Sequence, residues 1–497
     1  MADLSRRDFL KKGSATLAGL MVAPYIVPSN VLGAKVGKKA PSDKLNILGV
    51  GIGGRGAADL AEMAKTENIV GLCDCDWKYA KHVFDKYPDA KKYNDYRKMY
   101  DEMLKSADAV MVATADHTHA IIAADAMAAG KHVYVEKPMT LYAYESRLLT
   151  KLAAKYKVAT QQGNQGASSS GHRKAINWLW NGEIGEVTKI EAFTNRPIWP
   201  QGMATPKEAQ PVPSTMNWDA FIGPAPMRPF NEVYTPWNFR GWWPFGSGAL
   251  GDMANHILAV AFTGLKLGSP TAILGSSTML MPDSCPSAQK VTYRFPARDN
   301  LPKLGLPACE LTWYDGGLRP NIPFEMPEGK KFDGNGVCIF YGTKDIMVVG
   351  TYGYNPFLVS GREPKVPELC RVVKDDNHQQ DWIRACKESP ENRVETSSNF
   401  QVSGPFTEMV DMGVLAVRLS GPTGLHRELK WDGEAMRFTN ISESDKIRIV
   451  NYDAFKVIDG DPRFDRRYAE YNAKEMAEEW VKHTYHNGFS LPDMPKG

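Results

Sequence analysis

The sequence predicts an α/β chain of two folded domains, the first on a parallel sheet and the second on a sheet of its own. Three observations carry this. Short apolar, β-branched runs at 45–51, 68–74, 108–114, 132–138 and 158–164 alternate with helical patterns, the rhythm of βαβ units. Runs such as Ala109-Val110-Met111-Val112-Ala113 are apolar throughout rather than alternating, which marks strands buried on both faces and covered by helices. At 497 residues the chain is also too long for one ordinary core.

Residues 1–42 stand apart from both domains. Ser5-Arg6-Arg7-Asp8-Phe9-Leu10-Lys11-Lys12 precedes a mild apolar stretch, Gly13 to Val27, which is shorter than the roughly 20 residues of a membrane span. This reads as a twin-arginine (Tat) export signal with a linker, against the alternative of a short basic amphipathic terminus. The expected destination is the periplasm, or export through the Tat pathway generally, without stable membrane insertion. Cleavage near Val31-Leu32-Gly33-Ala34 would take the net charge from +3 to +1. A nearly neutral surface offers no footprint for nucleic acid. Seven cysteines, an odd number with no CxxC pair, argue against a disulfide framework.

The first domain is placed at 43–165, with helices at 121–129, stopped by Gly130, and at 141–156. The second is placed at 166–457. Its strand-like runs fall at 187–195, 270–279, 289–297, 309–315 and 337–350, and helical stretches at 172–181, 379–387 and 405–419 are expected to cover one face of its sheet. Residues 458–497, dense in charge and aromatics, form a C-terminal extension expected to pack on the body.

The chemistry begins at Gly51-Ile52-Gly53-Gly54-Arg55-Gly56, which follows a predicted strand and opens a predicted helix. That context gives a GxGxxG loop its meaning: Gly51, Gly53 and Gly56 let the backbone turn and approach a pyrophosphate, whose charge meets free N–H groups and the helix dipole. A structural glycine turn is the alternative. Asp74 ends the next strand 18 residues past Gly56, where a carboxylate would accept from adenosine ribose hydroxyls and repel a 2′-phosphate. The expected cofactor is therefore NAD rather than NADP, and the first domain a Rossmann fold.

Two further segments sit at predicted strand ends, the edge where the reactive half of a dinucleotide belongs: Glu136-Lys137-Pro138, and Ala113-Thr114-Ala115-Asp116-His117-Thr118-His119. Taken alone, Lys137 fits a surface lysine and His119 a helix N-terminal residue. In Gly251-Asp252-Met253-Ala254-Asn255-His256 the i, i+4 spacing puts Asp252 and His256 on one helix face. An imidazole beside a carboxylate suits proton transfer, while an N-cap and a core histidine are the bland reading. A metal site from His117, His119 and His256 is not expected.

Together and in this order, the glycine loop, strand-end Asp, Glu-Lys-Pro and GDxxxH resemble the glucose-fructose oxidoreductase and inositol dehydrogenase (Gfo/Idh/MocA) family, over about Leu45 to Trp431. The resemblance is to its Tat-exported branch. It implies a second domain with a large, open, mostly antiparallel sheet whose face often builds oligomers, here a homodimer or homotetramer. It implies that Lys137, Asp252 and His256 form the catalytic group, with Gly54, Arg55, Thr114, His119, Glu136 and Asn164 near the dinucleotide. Asp116 departs from the Asn of many members, and the tail after Ile441 follows no family pattern. Arg196, Asn238, Arg240 and Asn255, ringing a segment crowded with aromatics that include Trp242 and Trp243, suit a polyol pocket, although core packing accounts equally well for the tryptophans.

The expected activity is oxidation of a secondary hydroxyl on a sugar, sugar derivative or glycoside, with NAD held tightly because free NAD is scarce outside the cytoplasm. The alternatives are a redox-neutral, NAD-dependent glycosidase or lyase working through a transient keto-sugar, and a non-catalytic sugar-binding protein on the same fold.

Overall fold

The computed structural model describes residues 43–496. The leader expected over residues 1–42 lies outside them. Strands β1 (Asn46–Val50), β2 (Asn68–Cys73), β3 (Lys91–Tyr93), β4 (Ala109–Val112), β5 (His132–Glu136) and β6 (Thr160–Gly163) form one sheet, ordered β3-β2-β1-β4-β5-β6. All five pairings are parallel, so the order reverses beside β1 and every strand points its carboxyl end to the same edge. The strands predicted from continuous apolar runs are all present. The short β3, Lys91-Lys92-Tyr93, carries no such run because it lies at the sheet's edge with its two lysines exposed.

Helices α1 (Arg55–Met63), α2 (Asp116–Ala128) and α3 (Ala143–Tyr156) cover this sheet. Gly130 stops α2 in the left-handed region at φ 72°, the residue type that tolerates it. Beyond β6, helix α4 (Ser170–Trp180) leads into a second, nine-stranded sheet. Its strands are β7 (Val187–Thr194), β8 (Ala272–Ser277), β9 (Gln289–Phe295), β10 (Cys309–Asp315), β11 (Gly336–Gly342), β12 (Ile346–Gly350), β13 (Phe357–Leu358), β14 (Leu429–Asp432) and β15 (Arg437–Phe438). They run in the order β13-β12-β11-β7-β10-β9-β8-β14-β15, antiparallel except for β7 with β10. The single run read at 337–350 is the hairpin β11–β12. Helices α5 (Gly248–Ile257) and α4 pack with this sheet in one large core.

The stretch at 379–387 is corrected. Helix α6 (His378–Cys386) packs on the first domain, where Trp382 and Ile383 join Ile47, Leu60 and Met111 in the core on one face of the parallel sheet. Polar contacts hold it there: Gln379 Nε2 donates to Asp59 Oδ1 (2.7 Å), Gln380 Nε2 to the Glu62 carbonyl (2.8 Å) and Gln161 Nε2 to the His378 carbonyl (2.7 Å). Periodicity reports that a helix has an apolar face, not which sheet that face meets. The following helix, α7 (Phe400–Ser420), serves both domains: Phe400 enters the other core of the first sheet, and Met409 to Leu419 enter that of the second.

The chain then forms a hairpin, β16 (Lys446–Ile458) with β17 (Asp461–Asn472), and helix α8 (Ala473–Lys482). Position 458 ends β16, so the boundary expected at 457/458 falls inside the hairpin. Among the described residues no helix is long and apolar enough to cross a membrane. Replacing the fully buried Trp382 by Ala is expected to cost about 3–5 kcal/mol, read as a lowered denaturant midpoint in equilibrium unfolding.

Candidate functional site

A single cavity of about 530 Å³ follows the carboxyl edge of the parallel sheet. It runs from Asn94 and Tyr96 after β3, past Asp74 after β2 and the loop after β1, to Thr114 and Asp116 after β4 and Lys137 after β5. This is where topology places a ligand, since the strand order reverses beside β1. The glycines have distinct reasons to be glycines. Gly51 turns at φ 77° with its α-carbon against the Ala113 backbone, so that a Cβ would come within 2.5 Å of it. A Cβ on Gly56 would lie 2.3 Å from the Gly51 carbonyl oxygen, so this glycine lets α1 start directly under the loop. Gly53 lies beneath the ring of Tyr79, another wall of the cavity.

Asp74 organises the loop as well as facing the cavity. The N–H groups of Ile52 and Gly53 both donate to its Oδ2 (2.9 Å each), and that of Asp76 to Oδ1 (3.0 Å). Burial pushes the carboxyl up to about 6, against the pull of those three N–H groups. Oδ1 keeps a lone pair for a ribose hydroxyl, so the residues present fit a dinucleotide here. Arg55 and Glu136 line the cavity beside the loop; Arg55 pairs with Asp59 (3.1 Å) and approaches Glu136 (3.7 Å). Glu136 also accepts from Gln165 Nε2 (2.6 Å). Gln165 is a cavity residue that carries no motif.

At the β5 end the predicted trio assembles around a buried carboxylate. Asp252, on α5, is ion-paired to Lys137 Nζ from the loop after β5, and its Oδ1 accepts from Arg240 Nε (3.0 Å). Burial opposes the charge, yet Lys137 and Arg240 hold the carboxyl well below the usual carboxylate range. His256, one turn further along α5, lines the cavity, and Asp252 makes no hydrogen bond to it. Its ring rests on that of Tyr352 (centroids 4.3 Å apart), and its Nδ1 is buried without a partner. Burial, reinforced by the charge of Lys137, drives the imidazole well below its ordinary value. It is therefore neutral at neutral pH and able to accept a proton.

Tyr352 is missed by sequence reading, and Arg240, expected only as a polar group of the polyol pocket, turns out to hold Asp252. Arg240 belongs to the aromatic-rich segment, its guanidinium lying over Trp237 and Phe239 (4.6 Å each). Tyr352 sits at φ 63° on the loop after β12, and Gly166 makes room for it, since a Cβ there would come within 2.7 Å of the Tyr352 backbone. A left-handed tyrosine costs free energy and has no sequence signature.

Several expected site residues do not line the cavity. His119 is buried, with Nδ1 2.7 Å from the Pro138 carbonyl and Nε2 3.1 Å from that of Thr114; it fastens the two strand-end loops together from beneath. Asn164 is buried with Oδ1 unpartnered. Asn255 is consumed by structure, donating to the Gly251 carbonyl (2.7 Å) and accepting from Gln162 Nε2 (2.8 Å). Trp242 is fully buried with its indole N–H on the Val233 carbonyl (3.0 Å), and Trp243 lies in the core of the large sheet. Arg196 binds Asn195 outside the cavity. The tryptophans follow the alternative already stated: large aromatic surfaces go where they displace most water.

Because a protonated carboxyl has lost an acceptor for ribose hydroxyls, nucleotide affinity is expected to be level above about pH 7. It should weaken as pH falls through about 6, where Asp74 gains its proton. Titration of NADH binding by fluorescence across pH 5–8 checks this. Asp74→Asn should bind weakly and without that inflection.

Comparisons agree with this geometry. A family model described as "Oxidoreductase family, NAD-binding Rossmann fold" matches residues 44–164, and one described as "Oxidoreductase family, C-terminal alpha/beta domain" matches 177–299. Inositol 2-dehydrogenase of Salmonella typhimurium is 31% identical over 146 residues, 28% of this chain and 43% of that one. Glycosyl hydrolase family 109 protein 1 of Shewanella sp. MR-4 is 27% identical over 211 residues, covering 39% and 46%. The chain thus spans under half the length of these curated relatives. A WlbA dehydrogenase from Bordetella pertussis, solved with NADH and UDP-GlcNAcA, superposes with a TM-score of 0.52 over 78% of this chain and 99% of that one. At 14% identity this is a likeness of fold. With both domain models matched in order, the glycine loop, Lys137 and His256 lining one cavity, and Asp252 paired to Lys137, the chain belongs to the Gfo/Idh/MocA family of NAD-binding oxidoreductases.

Proposed function

We propose that this protein is an exported, NAD-dependent oxidoreductase acting on a secondary hydroxyl of a sugar, sugar derivative or glycoside, with its NAD held through many turnovers. One observation carries the reading: the neutral His256 stands at the β5 end of the same cavity that the glycine loop and Asp74 line at the other strands. The relatives named inositol 2-dehydrogenase support a polyol-like substrate.

Bound NAD would supply the acceptor for the hydride leaving the carbinol carbon. The protein handles the rest. His256 takes the hydroxyl proton, leaving a carbonyl on the sugar. Lys137 and Arg240 place positive charge beside the oxygen from which the proton departs, where developing negative charge is stabilised. Asp252 keeps both cations in position and offsets their charge. Gly51, Gly54, Arg55 and Asp74 would hold the dinucleotide, and Thr114, Glu136 and Gln165 wall its course. The Tat-like leader, and assembly as a dimer or tetramer, belong to the proposal.

A second reading is favoured by the glycosyl hydrolase family 109 relatives: transient oxidation, elimination of the glycosidic substituent, and re-reduction, with no net redox change. The same residues serve it.

His256→Ala is expected to lower turnover by about 10²–10⁴-fold while NAD released by denaturing the purified variant stays at the wild-type level. Unchanged turnover would remove His256 from the chemistry. With a panel of glycosides, the oxidoreductase reading expects a 340 nm signal or conversion of a second carbonyl compound. The glycosidase reading expects released sugar with no net change at 340 nm.

A further inference from the structure

The cleft extends beyond Asp74 into a region that proton and hydride transfer do not use. There it is lined by Asn94 and Tyr96 after β3, Ile122 on α2 and Phe489 from the C-terminal tail. We propose that Phe489 is the wall against which the adenine ring of the dinucleotide packs, so that residues 483–495 clasp the cofactor from outside the Rossmann domain. This rests on reading the cleft as the NAD site.

Sheet order fixes which half of the dinucleotide lies here. Lys137 and His256 mark the reactive end, over β5. A carboxylate ending β2 meets the adenosine ribose, so the base lies past Asp74, toward β3, where the aromatic and apolar side chains are. A purine presents two flat faces that stack on aromatic rings whatever the polar decoration at its edge.

The tail is fastened along its course, which makes Phe489 part of a built wall rather than a loose end. His483 stacks on Tyr142 (centroids 4.4 Å apart), and Tyr485 Oη donates to Glu145 Oε1 (2.6 Å), tying the tail to α3. The N–H of His486 donates to the Pro224 carbonyl (3.0 Å), and Asn487 Nδ2 to the carbonyls of Gly223 and Ala225 (2.8 Å each). Gly223 is itself a cleft residue, so the tail and the 223–225 loop close the same end together. The Phe489 ring is half-buried and covered by the Arg97 guanidinium (4.9 Å), which Asp95 holds through Nη2 (2.7 Å). One face of the ring is thus occupied by a fixed cation, and the ring also borders the cleft.

A clasp on the adenine end retains cofactor without touching the chemistry. The test uses full-length protein stripped of nucleotide, titrated with NAD and with ADP-ribose, which has the adenosine half but no nicotinamide. Phe489→Ala is expected to weaken both by roughly tenfold, the size of one base–aromatic stack, and to lower the NAD content of freshly purified protein. Phe489→Trp keeps the affinity. The inference is overturned if Phe489→Ala binds both ligands as wild type does. It is also overturned if Phe489→Trp is as weak as the alanine variant, which would mark a packing role without stacking. Wild-type protein that binds neither ligand would instead overturn the reading of the cleft as an NAD site.

Discussion

The buried carboxylate of Asp252 is the constraint on which the rest of the active end depends. It holds Lys137, which arrives from the first domain on the loop after β5, and Arg240, which arrives from the segment preceding α5. Two cations in a confined site repel each other and lose hydration, and a single well-placed anion offsets both effects. The ion pair therefore does two things at once: it closes the first domain onto the second, and it fixes the charge around His256. Burial keeps that imidazole neutral, with the charge of Lys137 reinforcing it, and neutral is the form a general base requires.

Around this pair the fold supplies a track rather than a pocket. Parallel strands bring the loops after β1, β2, β3, β4 and β5 to one edge, and a ligand stretched across them meets a different chemistry at each end. Asp74 shows how closely binding and folding are tied. Its carboxylate holds the glycine loop in shape through two N–H groups on one oxygen and keeps acceptor capacity on the other, in a side chain that lines the cavity. His119 is the counterpart at the other end, holding the loops after β4 and β5 together without reaching the cavity itself.

Elements late in the chain complete structures begun early. Helix α6 fills the core of the first domain with Trp382, more than 200 residues past β6, and the tail brings Phe489 back to the end of the cleft by β3. Residues 378–386 and 483–495 thus pack with the first domain, although the sequence places them after the second domain has begun. The chain folds back because α7 spans both cores and leaves the segments before and after it beside the first domain.

The parallel sheet was legible because strands buried on both faces must be apolar throughout, and the glycine loop because its spacing is imposed by backbone turning within six residues. Asp74 was legible for the same local reason, at a fixed offset from the loop, whereas Glu136, Lys137, Asp252 and His256 stood out only when their motifs were taken together and in order. Tyr352, Gln165, Phe489 and the pairing of Arg240 with Asp252 were not legible, since no local rule marks a side chain whose partner is brought to it by packing. Nor does composition tell a tryptophan that stacks on a ligand from one that fills a core, and Trp242 and Trp243 went to the core. By itself, then, the sequence determined the sheet and the glycine loop, which rest on short-range geometry, while the catalytic group came from the order of motifs shared with a family. The tertiary structure decided which distant cation, ring and tail surround them, because those contacts arise only when separate apolar faces bury against one another.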